Sequence, residues 1–182
     1  MNITVYLGSN EGKLPGLKDA VRQLGRWIGE SGHALVYGGS KIGLMGILAE
    51  SVVESGGQAT GVEPQFFVDR VLQYDGLTEL IVTENMSDRK AKMIELGDAF
   101  IALPGGTGTL EEISEIMSTV SLGFMDVPCI VYDHDGYYQP LREMLQSMVH
   151  NGFSTAERLR NVHFAESIEQ IQEILAPATA SA

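Results

Sequence analysis

Residues 99–112 read AFIALPGGTGTLEE, a stretch that joins an apolar run, a glycine-rich turn and the start of a helix. The apolar run, Ala99–Leu103, has the length and composition of a strand that is covered on both faces of a sheet. The two acids that follow, Glu111 and Glu112, favour a helix start because they compensate the positive end of the helix dipole. A buried strand that passes through a short glycine turn into a helix is typical of a parallel α/β sheet.

Short apolar runs alternate with helical patterns along the rest of the chain, which predicts an α/β fold with a doubly wound parallel sheet. We expect a single domain over residues 1–176 and a flexible C-terminal tail over 177–182, which has nothing to bury. The predicted strands are Ile3–Leu7, Ala34–Tyr37, Gln58–Val62, Glu79–Thr83, Ala99–Leu103 and Pro128–Tyr132. The predicted helices are Leu17–Ser31, Leu44–Ser55, Ser87–Leu96, Thr109–Leu122, Tyr138–Asn151 and Ser167–Leu175.

Glycine makes up 21 of the 182 residues, well above the usual share of about 7%. The excess follows the first, second and fifth predicted strands, in the loops 8–12, 38–46 and 104–108. Because the carboxyl ends of parallel strands share one edge of the sheet, we expect these loops to meet there. Glycines expose backbone N–H groups and a helix N-terminus adds positive charge, so the loops favour a phosphate. The first loop alone is equally well explained as a tight turn.

The glycine loops differ from the two common nucleotide-binding motifs. None ends in Gly-Lys followed by Ser or Thr, as a Walker loop does. The run Gly106-Thr107-Gly108 lacks the third glycine of the dinucleotide fingerprint. The sequence therefore favours a mononucleotide or a sugar phosphate as ligand, with no bound cofactor. We expect no metal either, because the metal-like run 133–136 is more simply a turn after a strand.

The charge balance restricts the partners. With 12 Lys and Arg against 24 Asp and Glu, the formal net charge is −12, which disfavours nucleic acid polymers and anionic membranes. In a chain with so few cations, the pair Arg89-Lys90 at a helix start is informative, because cations there oppose the helix dipole. The pair is either part of a solvated charged face or a device that orients an anion or a sugar.

Glu112 has two interpretations. In the predicted helix Thr109–Leu122, the residues Ile113, Ile116, Met117 and Val120 form the buried stripe. Glu111 points away from that stripe, and compensation of the dipole explains it. Glu112 lies on the stripe's margin beside the phosphate loop, where a carboxylate would repel a phosphate, so its presence suggests a chemical task.

These motifs resemble those of the Lonely Guy (LOG) family of cytokinin riboside 5′-monophosphate phosphoribohydrolases, once labelled possible lysine decarboxylases. The run Pro104–Glu112 resembles the family's P-G-G-x-G-T-x-x-E motif, and Arg89-Lys90 resembles its second motif, which follows a turn that contains a methionine, here Met86. The loop 38–46 and the run 136–141 resemble further family stretches, so the similarity extends from about Ile3 to Leu175.

The resemblance implies a Rossmann-like homodimer with active sites near the dimer interface. It implies hydrolysis of the N-glycosidic bond of adenosine 5′-monophosphate (AMP) or N6-modified AMP, which releases the free base and ribose 5-phosphate. Arg89 and Glu112 match the catalytic pair. The residues predicted to contact the substrate are Lys90, Gly105, Gly106, Thr107, Gly108, Thr109, Leu110, Glu111 and Ser118, together with Gly8, Ser9, Gly38, Gly39, Gly43 and Met86.

Two departures from the family pattern leave the base preference open. Ser87 stands where many members have His, and residues 119–121 replace a common Trp-Ala-Gln. Two other functions also stay open. One is a non-catalytic carrier of a nucleotide or of molybdenum cofactor, which related proteins of this fold bind. The other, weaker, is a pyridoxal phosphate decarboxylase, which needs a Schiff-base lysine.

The sequence also predicts a cytoplasmic location. The single cysteine, Cys129, cannot form an internal disulfide, which fits a reducing compartment. The first residues have neither the basic region nor the apolar run of a signal peptide.

Overall fold

The computed structural model describes residues 1–70 and 72–176, which contain a single seven-stranded parallel sheet. The predicted α/β class and the doubly wound parallel sheet are therefore confirmed. The strands are β1 (Asn2–Tyr6), β2 (Ala34–Tyr37), β3 (Gln58–Pro64), β4 (Glu79–Thr83), β5 (Ala99–Ala102), β6 (Cys129–Tyr132) and β7 (Val162–Ala165). Their order across the sheet is β4-β3-β2-β1-β5-β6-β7, so the winding direction reverses between β1 and β5.

Helices cover both faces of the sheet. They are α1 (Leu17–Glu30), α2 (Gly43–Glu54), α3 (Gln65–Val68), α4 (Met86–Leu96), α5 (Thr107–Ser121), α6 (Gln139–His150) and α7 (Ile168–Leu175). The apolar sides of α1, α2 and α7 pack on one face, and those of α4, α5 and α6 on the other. Strand residues alternate between these two cores: Ile3 and Val5 face the first, Tyr6 the second. The long apolar runs of the sequence arise because both faces are buried.

The sheet contains one strand more than the sequence predicted. Strand β7 escaped prediction because Val162, His163 and Phe164 are only partly buried at the sheet edge, so no continuous apolar run marks it. The short helix α3 was also not predicted. Helix α5 begins two residues before its predicted start at Thr109, since the glycine loop itself enters the helix. The predicted tail, 177–182, lies outside the described residues.

The helices are of ordinary length for a globular protein. In the part of the chain that the structure describes, none is long and apolar enough to cross a bilayer.

Candidate active site

A cavity of about 620 Å³ opens at the carboxyl edge of the sheet, where the winding direction reverses. The loops after β1, β2 and β5 all line it, which confirms that the three glycine loops share one edge. In open α/β sheets this reversal point is the usual place for a ligand, because the loops on either side diverge and leave a crevice. The volume suits a ligand the size of a nucleotide.

The structure brings ten of the predicted site residues to this cavity and leaves seven outside its lining. Those that line it are Gly8, Ser9, Gly38, Met86, Arg89, Gly106, Thr107, Gly108, Thr109 and Glu112. Those that do not are Gly39, Gly43, Lys90, Gly105, Leu110, Glu111 and Ser118.

Lys90 lies outside because its side chain turns toward α5. Its Nζ atom lies 2.7 Å from Glu111 Oε1 and 3.1 Å from Glu115 Oε2, so both predicted contact residues, Lys90 and Glu111, are engaged with each other. Leu110 and Ser118 are exposed on α5, away from the cavity of their own chain. These four residues sit beside the cavity rather than in it.

Gly105 lies outside the cavity lining and allows the loops after β1 and β5 to pack closely together. A Cβ atom there would overlap the Thr109 hydroxyl and lie 3.0 Å from the Gly8 nitrogen, so only glycine lets the β1 and β5 loops approach this closely. The Tyr137 hydroxyl donates a hydrogen bond to the Gly105 carbonyl at 2.6 Å. The Tyr138 hydroxyl donates one to the Leu103 carbonyl at 2.9 Å. These two tyrosines hold the loop from the far side, a role that sequence reasoning did not assign to them.

The N-terminus of α5 faces the cavity. The helix begins at Thr107, and its N-cap residue, Gly106, has no side chain to accept hydrogen bonds from the first turn. The N–H groups of Thr107, Gly108 and Thr109 therefore lack acceptors within the helix. Cβ atoms at Gly106 and Gly108 would meet nothing within 4 Å, so the space in front of this turn is open. An open helix N-terminus with free N–H groups is a binding site for an anion, typically a phosphate.

An ion pair between Arg89 and Glu112 stands beside this helix start. The Arg89 Nη1 atom donates to Glu112 Oε1 at 2.6 Å, and the side chains are only 11% and 10% exposed. The Arg89 Nε atom also donates to the Val62 carbonyl at 3.1 Å, which fixes the plane of the guanidinium. Asn85 caps α4 by accepting from the Asp88 N–H at 3.0 Å, so the helix that carries Arg89 starts at a defined residue.

Burial raises the pKa of the Glu112 carboxyl above its ordinary value, and the neighbouring Arg89 opposes that shift without cancelling it. The carboxylate is thus poorly solvated and held by one cation. A carboxylate in such surroundings is a stronger base than an exposed one and stabilises a nearby positive charge better. Glu112 is therefore equipped for chemistry at an electron-poor carbon.

Several cavity residues were missed by sequence reasoning. They are Leu7, Asn10, Ser40, Ile42, Met45, Glu63, Phe67 and Leu72. One signal was available for Glu63: it follows the predicted strand Gln58–Val62 directly and so falls on the ligand edge. The apolar residues of the cavity could not be recognised in the sequence, because residues of the same types also form the core of the protein.

The fold and the site define an α/β protein whose cavity at the sheet reversal contains an open helix N-terminus and a buried Arg–Glu pair. The chain matches the family described as "Possible lysine decarboxylase" over residues 45–175. It is similar to the cytokinin riboside 5′-monophosphate phosphoribohydrolase of Rhodococcoides fascians, 40% identical over 92% of this chain and 85% of the relative. It is also similar to the rice phosphoribohydrolase LOG (Oryza sativa subsp. japonica), 36% identical over 93% of this chain and 70% of the relative. The chain therefore belongs to this family, the LOG family that its motifs resemble.

Solved structures with the same fold include proteins of another function. The molybdenum cofactor binding protein of Rippkaea orientalis is 24% identical with a TM-score of 0.70, over 95% of this chain and 96% of that one. The molybdenum cofactor carrier protein of Chlamydomonas reinhardtii is 22% identical with a TM-score of 0.71, over 97% and 98%. At these identities the likeness shows the fold alone.

Proposed function

We propose that the protein hydrolyses the N-glycosidic bond of nucleoside 5′-monophosphates, AMP or N6-modified AMP, and releases the free base and ribose 5-phosphate. The observation that carries this proposal is the buried Arg89–Glu112 pair in the same cavity as the open N-terminus of α5. A phosphate site beside a desolvated carboxylate is what a phosphoribosyl substrate requires. The phosphoribohydrolase names of the relatives support the same reaction.

The N-terminus of α5 would hold the 5′-phosphate through the backbone N–H groups of its first turn, aided by the exposed Thr107 hydroxyl. This binding needs no basic side chain, which reconciles an anionic substrate with a net charge of −12. The phosphate is remote from the bond that breaks, so its binding energy positions the ribose over Glu112.

Cleavage of a glycosidic bond passes through a state in which the anomeric carbon, C1′, resembles an oxocarbenium ion. We assign to the Glu112 carboxylate the stabilisation of that positive charge or the activation of the attacking water. The bond from C1′ to the base nitrogen breaks, its electron pair leaves with the base, and a water oxygen bonds to C1′. One proton of that water ends on the base. Arg89 orients Glu112 and opposes its protonation.

Part of the cavity wall is apolar and suits a purine with an apolar substituent. Its members come from the segments after β2, β3 and β4 and are Ile42, Met45, Phe67, Leu72 and Met86. Flat aromatic bases are held by such surfaces through dispersion and burial of apolar area. This wall supports the N6-modified AMP substrates that the LOG resemblance implies.

A substrate panel tests the proposal. The folded protein is incubated with AMP, N6-isopentenyl-AMP and adenosine, and the free base is measured by chromatography. We expect base release from the two nucleotides and at least 100-fold slower release from adenosine, since adenosine lacks the anchoring phosphate. No release from either nucleotide would contradict the proposal. Retention of molybdenum cofactor through purification, without hydrolysis, would instead support the carrier function.

We propose that the active protein is a homodimer whose interface includes the end of α5. Leu122 and Phe124, directly after that helix, are 60% and 78% exposed, and Leu110 on the helix is 44% exposed. Large apolar side chains exposed close together in the chain, such as Leu122 and Phe124, favour a surface that another chain covers, whereas singly exposed ones are normal.

Light scattering after gel filtration checks the dimer. We expect twice the chain mass of 19.7 kDa, and a shift toward the monomer for Phe124→Ser. Phe153→Ser is the matched control, because Phe153 is 84% exposed and follows α6 instead. A monomeric wild-type protein would contradict the proposal.

A cytoplasmic site of action stays a prediction, and its support is the single cysteine. Cys129 is fully buried in β6, and burial raises the pKa of its thiol to about 12. The thiol is therefore a small apolar packing group and not a nucleophile.

A further inference from the structure

Glu63 is a second buried carboxyl group in the cavity, and neither the LOG motifs nor the proposed mechanism uses it. It lies near the end of β3, lines the cavity and is only 2% exposed. Among residues 1–70 and 72–176, its Oε2 atom has no hydrogen-bond partner. Buried polar groups in native proteins are normally paired, so an unpaired carboxylate oxygen against a cavity calls for an explanation.

The neighbouring backbone leaves room for this side chain. A Cβ atom on Gly39 would lie 2.6 Å from the Glu63 Cγ atom and 3.0 Å from its Cδ atom, so the carboxyl group lies directly against that glycine. Gly38 does the same for Arg89, whose guanidinium a Cβ atom there would overlap. The two consecutive glycines thus accommodate one charged side chain each. The space for Glu63 is built into the loop after β2 in the same way as the space for Arg89.

Among the residues that the structure describes, no group donates a hydrogen bond to the Glu63 Oε2 atom. The Arg89 guanidinium donates from Nη1 to Glu112 and from Nε to the Val62 carbonyl, and it makes no hydrogen bond to the Glu63 Oε2 atom. The Tyr37 hydroxyl, on the neighbouring strand, is also buried without a partner in the described residues, so it does not satisfy Glu63 either. Burial raises the pKa of the Glu63 carboxyl group above its ordinary value, and the positive charge of Arg89 partly offsets that rise. A carboxyl group that is buried with an unpaired oxygen destabilises the fold. Residues that lower stability in this way are typically functional.

We infer that Glu63 is a substrate-binding residue that accepts a hydrogen bond from an uncharged donor of the nucleotide, either a ribose hydroxyl or the exocyclic amine of the base. This inference rests on the proposed function. Glu63 lies near the carboxyl end of β3 and the proposed phosphate site follows β5, three inter-strand spacings away or roughly 14 Å. The two groups therefore contact different parts of one ligand, and like charge keeps the phosphate away from Glu63.

The test compares Glu63→Met, which removes both oxygens at similar size, with Glu63→Gln, which keeps one acceptor. For each variant kcat/KM is measured with AMP, 2′-deoxy-AMP, 3′-deoxy-AMP and purine riboside 5′-monophosphate, which lacks the amine. With AMP we expect Glu63→Met to lose about 10- to 100-fold, mainly in KM, as for a hydrogen bond to a charged group. Glu63→Gln should recover part of that loss. With the one analogue that lacks the bound donor, the variant and wild-type values should converge, which identifies the donor.

An equal loss with all four substrates would overturn the inference, because a merely structural residue affects them alike. We further expect Glu63→Met to unfold at a temperature equal to or higher than the wild type, since it removes an unpaired buried carboxylate. The matched control is Glu79→Gln, an exposed acid at the start of β4, which should change neither quantity. If the wild-type protein hydrolyses neither AMP nor N6-isopentenyl-AMP, the proposed function fails separately. In that case the Kd of each of the four nucleotides is measured by calorimetry for the wild type and the variants. The inference then holds if the variant and wild-type values converge only for the nucleotide that lacks the bound donor.

Discussion

Glu112→Gln is expected to lower kcat for AMP by roughly 10²- to 10⁴-fold, the range for a positioned acid or base, with little change in KM. The amide keeps the shape of the carboxylate, and its carbonyl oxygen still accepts from Arg89 Nη1, so the ligand site should be preserved. What it lacks is the negative charge that stabilises C1′ or activates water. Steady-state kinetics with AMP, together with the Kd of the product ribose 5-phosphate by calorimetry, separate turnover from binding.

Glu115→Gln is the matched control for this substitution. Glu115 lies on the same helix, α5, and is also paired to a cation of α4, with 3.1 Å between its Oε2 atom and Lys90 Nζ. Its side chain is 43% exposed and does not line the cavity, so kcat should stay at the wild-type value. Wild-type turnover by Glu112→Gln, or an equal loss in both variants, would reject the role assigned to Glu112.

Arg89→Met is expected to destabilise the fold at neutral pH by about 3–5 kcal/mol and to abolish measurable hydrolysis. The substitution leaves the Glu112 carboxylate buried without its cation, with Glu63 as a second uncompensated acid in the same cavity. Removal of Arg89 raises the pKa of Glu112 further, because the arginine is what lowers it. The raised pKa favours the protonated folded state, so the destabilisation is largest above that pKa and shrinks as the pH falls through it. Urea unfolding at several pH values measures this effect.

Two further variants make the stability prediction specific. Arg89→Met combined with Glu112→Gln should regain most of the lost stability, since the stranded charge is gone, but no activity. Lys92→Met breaks an exposed pair on the same helix, Lys92–Glu95 at 2.8 Å, and should change stability by about 0.5 kcal/mol or less. A double variant as unstable as Arg89→Met alone would show that the arginine acts through packing and not through charge.

Much of the site could be predicted because it depends on positions that follow strands. The loop 104–108, the Arg89-Lys90 pair and Glu112 each come after a recognisable apolar run or open a helix, and parallel topology sends all of them to one edge. The helical period also placed Glu112 on the margin of the buried stripe, where the structure has it 10% exposed.

The orientation of individual side chains could not be predicted in the same way. Lys90 and Arg89 are adjacent in the chain, yet only Arg89 lines the cavity. Arg89 pairs with Glu112, which also lines the cavity, whereas Lys90 pairs with Glu111, which does not. In the sequence, Glu63 is indistinguishable from any other acid that follows a predicted strand. Only the packing shows that its Oε2 atom is buried and has no hydrogen-bond partner in the described residues. Strand β7 was missed because an edge strand lacks the apolar run that burial on both faces imposes.

The α/β class, the parallel sheet and the shared edge of the glycine loops follow from local composition, since alternation of short apolar runs with helical periods admits few topologies. Whether a charged side chain is paired, stranded or solvated depends on neighbours that are distant in the chain. Arg89 meets Glu112 from another helix, and Glu63 lies against Gly39 from the adjacent strand. Such contacts arise only when the sheet and helices have assembled, because burial sets both the strength of a charge interaction and the penalty for its absence.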